Sequence, residues 1–257
     1  MIEQVKINEA MKNLLYRIAD DELIIGHRNS EWTGLGPILE EDIAFSSIAQ
    51  DQIGHAVALY SLLHEQFAEP NPDAIAFGRS ESQFHSSQFA ELPSGDYAFS
   101  LVRHFLFDHA ESLRYSMLTE SSFAPLAALA KKIKGELKYH VLHADLWVEK
   151  LSKGTEESHA RMQSALNEAL TYAYGMFEPS QYEELLIEQG IFGGERTLQQ
   201  KWMEAILPII ERANLTLPMI SGIDPIFGGR SGYHSDYLQP LLDEMSEVYR
   251  MDPSATW

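Results

Sequence analysis

The chain has 257 residues, of which 45% are hydrophobic and 11% aromatic, enough for one large core or two small ones. Its net charge of −19 argues against nucleic acid as a partner, because phosphate backbones are held by basic patches. With no cysteine in the sequence, disulfide frameworks, thiolate metal sites and a cysteine nucleophile are excluded. The opening "MIEQVKINEAM" lacks an apolar export signal and no run is long enough to cross a bilayer, so a cytoplasmic protein with no membrane partner is expected.

Taken in chain order, the periodicity is helical nearly throughout. Over residues 7–28, Ile7, Met11, Leu14, Leu15, Ile18 and Ile25 fall on one stripe. "EWTGLGP" (31–37) is a Gly-rich turn, and Pro37 suits the first turn of the next helix. That second helix runs to about Phe67 on a spine of Ile38, Ile43, Ile48, Ile53, Val57 and Tyr60. Residues 68–95 are too polar and too broken by Pro and Gly to be regular, and a connection this long needs a job. A third helix is expected over about 96–119, with Ser94 or Asp96 as N-cap, and a fourth over about 125–152, stopping at Gly154. More helices follow at about 156–177, 180–189, 196–213 and 235–251, with Pro208 kinking or splitting the third of these and a loop over 222–234.

A helix pair, a long crossing segment and a second pair describe an all-α, ferritin-like four-helix bundle, read as a single domain over 1–257. The core bundle covers about 7–152 and extra C-terminal helices about 156–251.

Such bundles hold two metal ions with a carboxylate on one helix of each pair and a Glu-x-x-His on the other. Counting from turns near residues 35 and 122, Asp20 matches Asp51 in depth and Asp108 matches Glu136, each about 14 to 16 residues from its turn. Three residues beyond Asp51 and Glu136 stand Gly54 and Tyr139, not histidines. His55 and His140 arrive at i+4, which faces roughly the same way. The candidate positions are therefore Asp20, Asp51, His55, Asp108, Glu136 and His140. Asp21 and Glu22 compete with Asp20 for the inward direction. The alternative is a buried polar network that pairs its charges without metal. His27, His109 and His143 are read as ordinary surface or satisfied histidines.

The stretch "SEWTGLGPILEEDIAFSSIAQDQIGHA" (30–56) closely resembles the PaaC subunits of ring-1,2-phenylacetyl-CoA epoxidase. The likeness lies in Glu31-Trp32, in the turn and helix start from Gly34 to Glu40, and in Asp51 with Gly54. "KIKGELKYHVLHADLWVEKL" (132–151) resembles the family's Glu-x-x-Tyr-His segment through Glu136, Tyr139 and His140. "GYHSDYLQPLLDEM" (232–245) resembles its C-terminal signature, and the crossover over 74–89 matches in character. The resemblance implies a ferritin-like subunit of a bacterial oxygenase that epoxidises the ring of phenylacetyl-CoA with O2 and electrons from NADPH. It implies a di-iron PaaA-type catalytic partner in a hetero-oligomer, with no cofactor, no bound metal and no catalytic residue in this chain. Gly54 and Tyr139 would stand where the catalytic relative has its two site histidines, leaving a vestigial site. A di-metal oxidase in its own right, using Asp51/His55 and Glu136/His140, and a homodimer of this chain alone are the competing expectations.

Overall fold

The computed structural model describes residues 2–218, 224–253 and 255. The described residues form ten α-helices and no strand, an all-α chain consistent with a ferritin-like bundle carrying additional helices. The chain divides into two compact units, residues 1–93 with 227–257, and residues 94–226.

The first unit is built on α1 (Ile2–Ser30) and α2 (Leu39–Phe67). They run antiparallel, with Asn29 opposite Gln52, Glu22 opposite His55 and Asp20 opposite Tyr60. Gly26 permits their close approach, because a Cβ there would stand 2.9 Å from Ile53 Cγ1 and 3.3 Å from the Ala49 carbonyl. The expected stripe of α1 is buried at Met11, Leu14, Leu15, Ile18 and Ile25. The spine expected for α2 is corrected: Ile48 and Tyr60 are buried, whereas Ile38, Ile43 and Val57 are exposed. An every-fifth-residue series drifts round a helix of 3.6 residues per turn and cannot stay on one face.

The crossover is also more regular than its composition suggests. It holds α3 (Pro72–Phe77), a 3-10 turn (Glu81–Gln83) and α4 (Gln88–Glu91). Asn71 caps α3 by accepting from Ala74 N at 2.8 Å, with Pro72 at the first helical position. The Ser80 amide donates to Gln83 Oε1 at 2.9 Å. The C-terminal helix α10 (Leu238–Met251) packs on α3 and on the 3-10 turn.

The second unit has its own antiparallel hairpin, α5 (Tyr97–Leu118) and α6 (Ala124–Ser152), with His104 opposite His143 and Asp108 opposite His140. Asp96 is the N-cap of α5, accepting from Phe99 N at 2.9 Å. The hairpin is covered by α7 (Glu156–Gly175) and α9 (Glu195–Arg212), with α8 (Glu183–Glu188) between them. Trp202 anchors α9: it is fully buried, its indole N–H reaches the Leu106 carbonyl at 2.9 Å, and its ring meets Tyr174 edge-on. Pro208 does not split α9, which runs unbroken through it. It sits on the exposed side of the last turns, where the lost hydrogen bond costs least. The 222–234 loop is described from Asp224, and Gly222 and Ile223 lie outside the described residues.

Candidate functional site

The run Asp20-Asp21-Glu22 is buried in all three residues. Successive residues on a helix point about 100° apart, so three buried acids need three different partners. Asp20 receives Arg79 of the crossover (Nη1 3.0 Å), the Tyr60 hydroxyl at 2.6 Å and the His85 amide at 2.7 Å. The Arg79 guanidinium lies over Phe84 at 4.0 Å, so its planar cation is matched on its face as well as its edge. Burial pushes the Arg79 pKa down and Asp20 more than offsets it, leaving the group raised and charged. Burial beside Asp20 likewise holds the Tyr60 phenol well above its ordinary range. Asp21 receives Arg230 Nη2 and the Ser87 amide, each at 2.6 Å. Glu22 faces His55, whose Nδ1 lies 3.4 Å from Glu22 Oε1.

The depth match between Asp20 and Asp51 is therefore corrected. Asp20 lies opposite Tyr60, and Asp51 is nine residues earlier on α2, about 13 Å away along the axis. The connection is asymmetric: Thr33 reaches Ser46 and Gly34 reaches Asp42, so the first turn of α2 projects past the end of α1. Asp51 is half-buried, beside the level of Asn29.

In the second unit, Asp108 is fully buried and accepts from His104 Nδ1, one turn away. His140 Nδ1 stands 4.0 Å from the same carboxylate oxygen. Burial alone would raise the Asp108 pKa, but His104 and His140 hold it below the ordinary carboxylate value. His104 Nε2 continues to His143 Nδ1 at 3.2 Å. Glu136, half-buried, lies one turn from the level of Asp108, so this depth match is corrected too. His109 is satisfied by Asp145 at 2.7 Å, and burial lowers the pKa of half-buried His27.

The helix rotation changes which residues form the inward motif. Gly54 is exposed, with open space where a Cβ would be, and Tyr139 is 68% exposed. Neither faces the core. The inward histidines are His55 and His140, and three residues before them stand Gln52 and Leu137, both buried. Gln52 accepts from the Asn29 side-chain amide at 2.8 Å. Each hairpin thus keeps a carboxylate opposite a histidine, Glu22 with His55 and Asp108 with His140. In each, the position three residues before the histidine carries a neutral side chain and not the Glu of a Glu-x-x-His. A pair of bridged irons draws on four carboxylates and two imidazoles, and this donor set does not fit that demand. Among the described residues, no three His, Asp or Glu side chains converge as a metal cage.

The residues that sequence reasoning missed are the ones that pair with the acids of α1 and α5, namely Arg79, Arg230 and His104, and the acid that pairs with the histidine of the C-terminal signature, Glu91. Gly232 has φ +84°, and a Cβ there would stand 2.8 Å from the Ser82 carbonyl, so the signature's glycine allows the chain to lie against the crossover. Two residues on, His234 Nδ1 meets Glu91 Oε1 at 2.7 Å, and Ser235 donates to Glu91 Oε2 from both its amide and its hydroxyl at 2.8 Å. A fixed Gly-x-His spacing was the available signal, but its partner 143 positions away was not legible.

A family model described as phenylacetic acid catabolic protein matches residues 3–257. The chain is also similar to the C subunit of 1,2-phenylacetyl-CoA epoxidase from Escherichia coli (strain K12), at 32% identity over 241 residues, covering 94% of this chain and 96% of that protein. With the match spanning both units and the C-terminal signature, the chain belongs to the phenylacetic acid catabolic protein family.

Proposed function

We propose that the chain is a structural, non-catalytic subunit of a cytoplasmic oxygenase that epoxidises the ring of phenylacetyl-CoA. Its catalytic partner is a PaaA-type subunit that carries the di-iron centre, and the two form a hetero-oligomer. The observation that carries this reading is the pair of neutral side chains at the inward positions: Gln52 and Leu137 stand three residues before the buried His55 and His140. A neutral amide and an aliphatic group cannot bridge two irons. The acids that remain are tied into the fold: Asp20 to Arg79, Asp21 to Arg230, and Glu111 to Arg114, whose Nη1 also reaches Glu195 at 2.7 Å. The similarity to a protein named as one subunit of an epoxidase supports the hetero-oligomer.

Co-expression with the catalytic subunit tests the reading. Co-purification in fixed ratio is expected, with iron following the partner. Elemental analysis of this chain alone after anaerobic iron loading is expected to find far less than two irons per chain. Two irons, lost on His55→Ala or His140→Ala, would establish the di-metal enzyme instead.

A further inference from the structure

The outward face of α6 carries a feature that the fold does not use. Lys131, Gly135, Lys138, Leu142 and Leu146 follow one another at spacings of four, three, four and four, which keeps them on one side of a helix. All five are exposed, Leu142 at 53% and Leu146 at 60%, and Tyr139 beside them is exposed as well. This face is about 22 Å long. At Gly135 an added Cβ would meet nothing within 4 Å, so another backbone can approach closely there. Single exposed aliphatics are ordinary, but Leu142 and Leu146, one turn apart and beside the exposed Tyr139, form a contiguous apolar patch of the kind that marks contact surfaces.

Charge identifies what covers it. Lys131, Lys132, Lys134 and Lys138 fall within eight residues of a chain whose net charge is −19. Lysines at the far end of α6 and just past it are matched inside the chain: Lys150 lies over Trp147 at 3.9 Å and Lys153 binds Glu149 at 2.6 Å. Lys134 donates to the Ser116 hydroxyl at 3.0 Å. Lys131, Lys132 and Lys138 form no ion pair among the described residues. A membrane or a nucleic acid would be repelled by the acidic remainder of the chain. A two-fold pairing of this face with a second copy would set the two Lys138 side chains against each other at its centre. Resting on the reading of the chain as an oxygenase subunit, we infer that this face of α6 docks a helix of the catalytic partner subunit. That helix presents an apolar row flanked by Asp or Glu. The aliphatic and aromatic side chains supply the buried centre, and the lysines supply a polar rim that sets orientation and association rate.

The test is a calorimetric titration of the full-length chain with the purified catalytic subunit at low and high salt. Lys131→Glu/Lys132→Glu/Lys138→Glu is expected to weaken binding at least about tenfold and to flatten its salt dependence. Leu142→Asp/Leu146→Asp is expected to weaken it by about a hundredfold or more. Glu244→Ala/Glu247→Ala, on the exposed polar face of α10, is the control and is expected to leave affinity within about twofold. Helix content by circular dichroism checks that each variant is folded. Wild-type affinity in both α6 variants overturns the surface while leaving the subunit reading intact. The same holds if they alter only self-association. No binding by the wild type overturns both.

Discussion

Arg230 reaches back across 209 positions to place its Nη2 2.6 Å from Asp21 Oδ2, inside a helix formed near the start of the chain. Its Nη1 donates to the carbonyls of Arg17 and His85 at 3.1 and 2.9 Å, so one guanidinium ties α1, the crossover and the C-terminal segment. Removing one partner of a buried pair leaves an uncompensated charge, which is costlier than removing both. Arg230→Met is expected to destabilise the protein by about 3–5 kcal/mol, and Asp21→Asn/Arg230→Met by less than the single change. Urea unfolding of the two variants decides this; a double variant no better than Arg230→Met would show that the pair is not coupled.

The enclosed His234 should make stability fall with rising pH. Its Nδ1 faces Glu91 Oε1 at 2.7 Å and its Nε2 faces the Phe84 carbonyl at 3.1 Å. Both are acceptors, so both ring nitrogens are protonated in this geometry and the ring is a cation. Burial pushes its pKa down, but the Glu91 hydrogen bond and charge more than offset this, helped by Glu81 nearby, and the pKa is raised. A group with a raised folded pKa contributes stability that is complete below its unfolded value, near 6.5, and lost as pH rises through the folded value. Unfolding free energies measured from pH 6 to 9 are expected to decline in the wild type and to be flatter in His234→Gln. Equal slopes would refute the assignment.

Two glycines in the first hairpin should respond oppositely to the same methyl group. Gly54 faces open space on α2, so Gly54→Ala is expected to add about 0.5–1 kcal/mol of stability by helix propensity. Gly26 is pressed against Ile53 and the Ala49 carbonyl, so Gly26→Ala is expected to cost about 1–3 kcal/mol through overpacking. Denaturation midpoints of the two variants should shift in opposite directions.

Pro208 lies inside α9 on an exposed position, where its ring removes a backbone donor without contributing to the core. Pro208→Ala is expected to raise the thermal midpoint, with a gain of about 1–3 kcal/mol. A lowered midpoint would mean that α9 depends on the proline for its shape.

The main helices, the long crossover and a cap at Ser94 or Asp96, of which the structure uses Asp96, were legible because each rests on local signals: periodicity, turn residues and a cap. Register was not. Where Asp20 sits against α2 depends on how far residues 31–38 carry the chain past the end of α1, and nothing local specifies that distance. The choice between Gly54 and His55 as the inward residue was lost for a related reason. Positions i+3 and i+4 from Asp51 differ by about 100° in direction, and only the packed helix shows which one is turned inward. The crossover's short helices were announced by Asn71-Pro72 and by the Ser80 to Gln83 spacing, and were overlooked beside its Pro and Gly content. Arg79 and Arg230 carried no sequence signal as partners of acids 59 and 209 positions away.

The discontinuity of the first unit has a consequence for synthesis. Residues 94–226 form one uninterrupted compact unit, so all of it has left the ribosome before the other unit is complete. Asp21 must wait for Arg230 and Glu91 for His234, so the amino-terminal helices emerge early and are completed last. A nascent chain arrested before residue 230 would carry an amino-terminal hairpin whose Asp21 lacks its counter-ion. The carboxyl-terminal segment of the first unit, residues 227–257, is thus the last to be added, and Arg230 and His234 bring with it the counter-charges that Asp21 and Glu91 lack until then.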